Sequence, residues 1–258
     1  MQTRRDIIYS GLGLAGIIAA GKAPAAVVKS MLSTRKEIAA GGGDEPLSAK
    51  SYVQDGLIAM WDGIENAGWG THDPNATVWK DLCGDVDLLC STGAYWDSDA
   101  LWRNDRGMFA SNATLISPDT IEACIDFSSE QDNGQGRCIV ATSNSRACMG
   151  WRLSGIRTAD TLYQHDSGDL DFLVARCTIA MTWARNAAYK NGIPLSLQSS
   201  SGNWNLNNGV QIGMRNNSTN YTTACLGGFH CIRLYSRALT AAEIAANYAV
   251  DKARFNLG

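Results

Sequence analysis

The sequence predicts a mainly β protein, a two-layer antiparallel sandwich behind a short helical segment. Three observations predict it. Apolar and polar residues alternate through many short segments after residue 50. Turn formers punctuate those segments, with 26 Gly against 5 Pro in 258 residues, so the turns are Gly- and Asn-built. The run from Gly228 to Ile244 reads as a strand that turns into a capped helix. In it Ile232 and Leu234 alternate with Arg233 and Tyr235, the period of a half-buried strand. Thr240 then precedes Glu243 at capping-box spacing.

The chain divides into residues 1–40, a helical anchor or oligomerisation segment; residues 41–49, a Gly-rich linker; and residues 50–258, the sandwich. Thr3 caps the first helix, whose apolar run from Ile7 to Ala20 is shorter than the ~20 residues of a membrane span. Pro24 opens a second helix, with Val27, Val28, Met31, Leu32 and Ile38 forming an apolar stripe. Two readings compete here. Thr3-Arg4-Arg5-Asp6-Ile7-Ile8 with Ala23-Pro24-Ala25 is similar to a twin-arginine export signal. An uncleaved pair of Gly/Ala-rich helices must instead bury its stripe against sister copies or a larger assembly. The second reading is preferred.

Strands follow in order. Leu57, Ala59 and Trp61 share one face of an opening strand. A long loop from Ile64 to Val78 comes next. Ile121, Ala123, Ile125 and Phe127 point inward from a second strand, with Glu122 and Asp126 as solvated acids outside. Cys138–Thr142 and Met149–Leu153 form a hairpin across Ser143–Cys148. Thr178–Trp183 precedes Ala187–Leu195, where Asn191-Gly192 marks a tight turn. Cys177, Ile179, Met181 and Trp183 share a face. Val210–Met214 and the closing strand complete the set.

This order resembles the laminin G-like, concanavalin A-like jelly rolls of the lectin–glucanase superfamily. Gly56-Leu57-Ile58-Ala59-Met60-Trp61-Asp62-Gly63 is similar to their opening strand and Asp81-Leu82-Cys83-Gly84 to a turn. Thr120-Ile121-Glu122-Ala123-Cys124 and Tyr189-Lys190-Asn191-Gly192 are similar to a strand and a hairpin. Ile212-Gly213 and Ile232–Leu239 close the series. The resemblance implies an antiparallel concanavalin A-like β-sandwich that binds sugars or partners, and a Ca²⁺ ion at the sandwich rim. Asp62, Asn66 and Asp81 are the candidate ligands of that ion, although turns also call for Asp and Asn.

Composition narrows the function. A net charge of −3 offers no basic footprint, which excludes nucleic acid as a partner. The eight Cys form no C-x-x-C and are expected as buried thiols, with Cys225–Cys231 or Cys83–Cys90 as pairs in an oxidising compartment. His72, His165 and His230 lack metal spacing, and His230 is expected as a hydrogen-bonded core or rim residue. Retaining glycosidases need paired carboxylates. Glu122 with Asp126, and Asp169 with Asp171, are read as solvated acids, so no enzyme is expected.

Eight Trp exceed what the core needs. Trp61 and Trp183 fit the core. Trp69, Trp96, Trp102 and Trp204 lie in polar loops, where rings stack on sugars while Asn and Asp take hydroxyls. The candidate binding residues are therefore Trp69, His72, Asp73, Trp96, Trp102, Trp204, Asn205 and Asn207. The expectation is a non-catalytic, surface-displayed recognition module, a phage-virion fibre or decoration protein whose sandwich binds host glycans. The alternatives are an exported bacterial glycan-binding protein and a glucanase-type glycoside hydrolase.

Overall fold

The closing strand is the axis of the fold. The computed structural model describes residues 46–90, 93–103, 109–111, 115, 118–126, 137–142, 147–152, 155–157, 162–164, 176–182, 187–197, 209–213, 225 and 227–258. The expected N-terminal helical segment, the glycines of the linker, Trp183, His165, Asp169, Asp171, Trp204, Asn205 and Asn207 lie outside these residues. A 3-10 turn at Ala49–Ser51 precedes the strands β1 (Leu57–Asp62), β2 (Val78–Trp79), β3 (Leu88–Leu89), β4 (Ala94–Trp96), β5 (Leu101–Arg103) and β6 (Phe109–Ser111). Then come β7 (Thr120–Asp126), β8 (Arg137–Thr142), β9 (Ala147–Arg152), β10 (Gly155–Arg157), β11 (Leu162–Gln164) and β12 (Cys177–Thr182). The last are β13 (Ala187–Lys190), β14 (Ile193–Pro194), β15 (Ser196–Leu197), β16 (Val210–Ile212), β17 (Gly227–Tyr235) and the helix α1 (Ala241–Arg254).

Two antiparallel sheets form a mainly β sandwich. The first runs β14-β13-β12-β7-β17-β5-β4, with β1 also paired to β17. The second runs β15-β11-β10-β9-β8-β16-β6-β3-β2. Strands β8 and β9 pair as the hairpin read from the sequence. Asn191 (φ 53°) and Gly192 (φ 74°) both occupy the left-handed region that joins β13 to β14, the geometry that a tight hairpin turn demands. Burying apolar side chains between the sheets drives assembly. Ile121, Ile125, Ile179, Met181, Ile232 and Leu234 of the first sheet share one core with Met149, Val210 and Ile212 of the second.

Two expectations about strand faces change. A register shift lies between Leu57 and Ala59. Ala59 and Trp61 enter the core between the sheets, while Leu57 packs on the opposite side with Met60. One extra residue in a strand turns its neighbours to the other face. The closing strand is also buried along its whole length rather than on one face. The reason is α1, which covers the side carrying Arg233 and Tyr235, with Tyr235, Leu239, Ile244 and Tyr189 in one cluster.

The helix start is the capping box that the sequence predicts. Thr240 Oγ1 accepts the Glu243 N–H at 3.2 Å, and Glu243 Oε2 accepts the Thr240 N–H at 2.7 Å. Arg237 hydrogen-bonds Glu243 and, with the Thr240 donors, lowers its carboxyl to about 2 despite partial burial. Thr240→Ala is expected to cost about 1 kcal/mol, read as a lower urea midpoint with unchanged m-value.

Charged side chains fasten α1 to the sheet. Arg233 donates to both oxygens of Asp251 at 2.7 Å and through Nε to Glu122 Oε2 at 2.9 Å. Its guanidinium lies 4.0 Å from the Tyr52 ring centroid. Asn247 donates to Glu122 and to the Tyr235 hydroxyl. Tyr52 and Thr178 hydroxyls donate to Asp251. Glu122, Arg233 and Asp251 are all 0% exposed. Glu122 is therefore no solvated acid, because the helix occupies the space that alternation alone assigned to water, and Asp126 is buried as well, with Arg176 reaching it at 3.5 Å.

Candidate functional site

The loop after β1 is held open by its own buried acids. Asp62 accepts the N–H groups of Ile64 and Glu65 at 3.0 and 3.1 Å. Glu65 accepts the Ala49 N–H at 2.7 Å and the Gly70 N–H at 2.8 Å. Arg254, near the end of α1, donates to Asp62 and to Glu65 at 3.2 Å. Asn66 closes the loop by donating to the Asp73 carbonyl at 2.9 Å and accepting the Asp73 N–H at 2.8 Å. His72 Nδ1 donates to the Gly63 carbonyl at 3.0 Å.

These bonds present one aromatic ring to solvent. Trp69 is 41% exposed. It stands between Gly68 (φ 123°) and Gly70 (φ 67°), two conformations that favour glycine. The Lys50 ammonium lies 5.3 Å from the indole centroid, a cation–π contact. His72 and Asp73 are exposed beside it. Three of the expected binding residues, Trp69, His72 and Asp73, thus belong to one braced loop.

The neighbouring turn is equally ordered. Asp97 Oδ1 accepts the N–H groups of Asp99 and Ala100, and Oδ2 accepts the Trp102 indole N–H. Arg176 donates to Asp99 at 3.0 Å and reaches Asp126 at 3.5 Å. His230 is fully buried and its Nδ1 donates to the Asp99 carbonyl at 3.1 Å, the core role expected of it. Burial alone would raise the Asp99 carboxyl, but His230 and Arg176 outweigh it and hold Asp99 below the ordinary value.

Other expected site residues serve the fold. Trp96 is 8% exposed, donates its indole N–H to the Ala76 carbonyl at 2.8 Å and meets Trp79 edge-on at 5.4 Å. It is a core residue and not a sugar platform. Asp62 is bound by Arg254, and burial pushes its carboxyl up despite that cation. Asn66 is spent on Asp73. Asp81 accepts the N–H groups of Met60, Cys83 and Val86, and burial outweighs these donors to raise it. The proposed calcium ligands are thus engaged in turns and an ion pair. Among the described residues no group of three His, Cys, Asp or Glu could hold a metal ion. Cys83 and Cys90 are thiols, as is Cys231, so neither alternative pair is joined. No helix among the described residues is long and apolar enough to cross a membrane.

Sequence reasoning missed Lys50, Gly63, Glu65, Asp97 and Arg254. Asp62 and Glu65 stand three apart, a turn-capping spacing that could have been read. Arg254 lies too far along the chain for any local pattern to reach it.

No protein-family model and no curated protein sequence matches the chain. Solved structures do. Trypanosoma rangeli sialidase aligns over 88% of this chain and 39% of its own, with a TM-score of 0.54 and 16% identity. The same sialidase in complex with sialic acid gives 0.55 and 15% over the same shares. An HCR/D mutant gives 0.50 and 12%, over 76% of this chain and 52% of that one. The chain thus spans about two-fifths of the sialidase. These likenesses show a shared sandwich fold. They also correct two expectations, because the fold is shared with a glycan-processing enzyme. The preference for a non-catalytic virion appendage and the exclusion of an enzyme do not stand.

Proposed function

We propose that the chain engages glycans in the course of their processing, as a laminin G-like jelly roll of a glycoside-hydrolase-type protein. The observation that carries this is Trp69, a large ring kept in solvent by a loop whose backbone is pinned from beneath by Glu65 and Asn66. A rigid exposed indole with hydroxyl-binding neighbours suits the apolar face of a sugar ring. The fold shared with a sialidase supports the same ligand class. Carbohydrate is common to both alternatives that the sequence leaves open, export as a glycan-binding protein and glucanase-type hydrolysis.

A retaining hydrolytic step uses two carboxyl groups about 5 Å apart. Glu122 is sealed against Arg233 and takes no part. Asp99 and Asp126, both reached by Arg176, are the acids for a hydrolysis assay to address.

Affinity electrophoresis through gels cast with β-glucan, xylan, arabinan or sialylated glycoprotein tests the proposal. Trp69→Ala is expected to weaken retention by about tenfold, the equivalent of about 1.4 kcal/mol, with stability within about 0.5 kcal/mol of wild type. Equal mobility of wild type and Trp69→Ala in every gel would remove the proposal. Release of reducing ends that disappears in Asp99→Asn would assign the hydrolytic chemistry to this chain.

A further inference from the structure

The first sheet has an outer face that α1 covers only in part. One row of that face crosses four strands. Tyr95 of β4 is paired with Trp102 of β5, Trp102 with Gly228 of β17, and Gly228 with Asp126 of β7. Their chain neighbours Trp96, Leu101, Phe229 and Ile125 all lie in the core between the sheets. Strand alternation therefore turns the row outward.

Tyr95 is 52% exposed and Trp102 is half-buried. Directly opposed residues put the two side chains on the same face of neighbouring strands. The Trp102 ring packs against Gly228, where a Cβ would approach its Cε2 and Cζ2 to 3.1 Å. Its indole N–H is fixed by Asp97. Arg176, which reaches Asp126 at the end of the row, keeps part of its guanidinium exposed, a donor suited to sugar hydroxyls. Tyr95 adds nothing to the core and is more exposed than Trp69.

The turn that joins β4 to β5 meets the start of the Trp69 loop. Gly63 begins that loop and abuts the Asp99–Ala100 turn, which Asp97 caps. We infer that Tyr95 and Trp102 form a second carbohydrate subsite, so that one oligosaccharide chain lies along both the row and the Trp69 loop. The ligand class rests on the reading of Trp69 given above; the position of the subsite does not.

Calorimetric titration with cellohexaose, xylohexaose, arabinohexaose and sialyllactose tests it, using wild type, Tyr95→Ala, Tyr95→Leu and Trp69→Ala. Both Tyr95 variants change an exposed residue, and unchanged melting confirms their fold. At least one hexasaccharide is expected to bind, and both Tyr95 variants to bind it about tenfold more weakly, the loss of one stacked ring. Binding lost in Trp69→Ala but intact in both Tyr95 variants overturns the subsite and leaves the Trp69 reading standing. Binding lost only in the Tyr95 variants supports the subsite and removes the Trp69 reading. No binding of any of the four probes by wild type overturns both.

Discussion

Arg233→Ala is expected to cost about 3–5 kcal/mol, the scale for removing one partner from a buried ion pair. Arg233 is the cation that touches both Glu122 and Asp251, and all three are sealed under α1. Without it two carboxylates remain buried, and a cavity opens beside the Tyr52 ring. Calorimetric melting reads the loss. A melting temperature near that of wild type would show that water reaches this network. Glu122→Gln makes the contrast. Burial, and Asp251 nearby, raise the Glu122 carboxyl above its ordinary value despite Arg233, and its Oε1 has no hydrogen-bond partner. A carboxyl raised by folding supports stability below its unfolded pKa and loses that support as pH climbs through the folded one. The glutamine removes this penalty. Stability of Glu122→Gln relative to wild type is therefore expected to rise as pH increases above about 4.5, while Arg233→Ala loses most at neutral pH. A difference between Glu122→Gln and wild type that stays flat from pH 4 to 8 would contradict a raised carboxyl.

That network also marks the boundary of what the sequence discloses. Strand β17 and α1 are legible because their signals are local, an alternation of two and a cap spanning four residues. The Asn191-Gly192 hairpin is legible because few residues accept both left-handed positions. Glu122 is misread because alternation says which residues share a face, not what covers that face. Helix α1 follows Glu122 by more than a hundred residues in the chain, so nothing near Glu122 announces it. The bulge in β1 hides for a related reason. One inserted residue leaves Leu57, Ala59 and Trp61 at even spacing while reversing the side on which Leu57 lies.

The aromatic residues of the candidate site follow the same logic. Tyr95 and Trp96 are adjacent in a strand and must face opposite ways. The sequence does not say which of them meets the core, and the larger ring went inward. Trp69 is readable because it sits in a polar loop between glycines. The bonds that hold it there come from Glu65 and, through Glu65, from Arg254 at the other end of the domain. Tertiary contacts, rather than local propensity, decide whether a loop tryptophan folds back or stays in water.

Gly63→Ala is expected to damage both halves of the site at once. A Cβ at Gly63 would collide with the Asp99 carbonyl group, 2.8 Å from its carbon, and stand 2.9 Å from Ala100 Cα. These are backbone atoms, so no rotamer change relieves the contact. Overpacking of this kind costs about 1–3 kcal/mol, and the relief must move either the start of the Trp69 loop or the turn that Asp97 caps. Displacing the first breaks the His72 bond to the Gly63 carbonyl. Displacing the second releases the Trp102 indole from Asp97. Urea unfolding should show a lower midpoint, and retention on the glycan that wild type binds should fall further than in Trp69→Ala alone. Trp69→Ala is the control, since it removes a ring without moving the backbone. If Gly63→Ala keeps both wild-type stability and wild-type retention, the loop and the turn do not meet as described, and the continuous binding surface is lost with that contact.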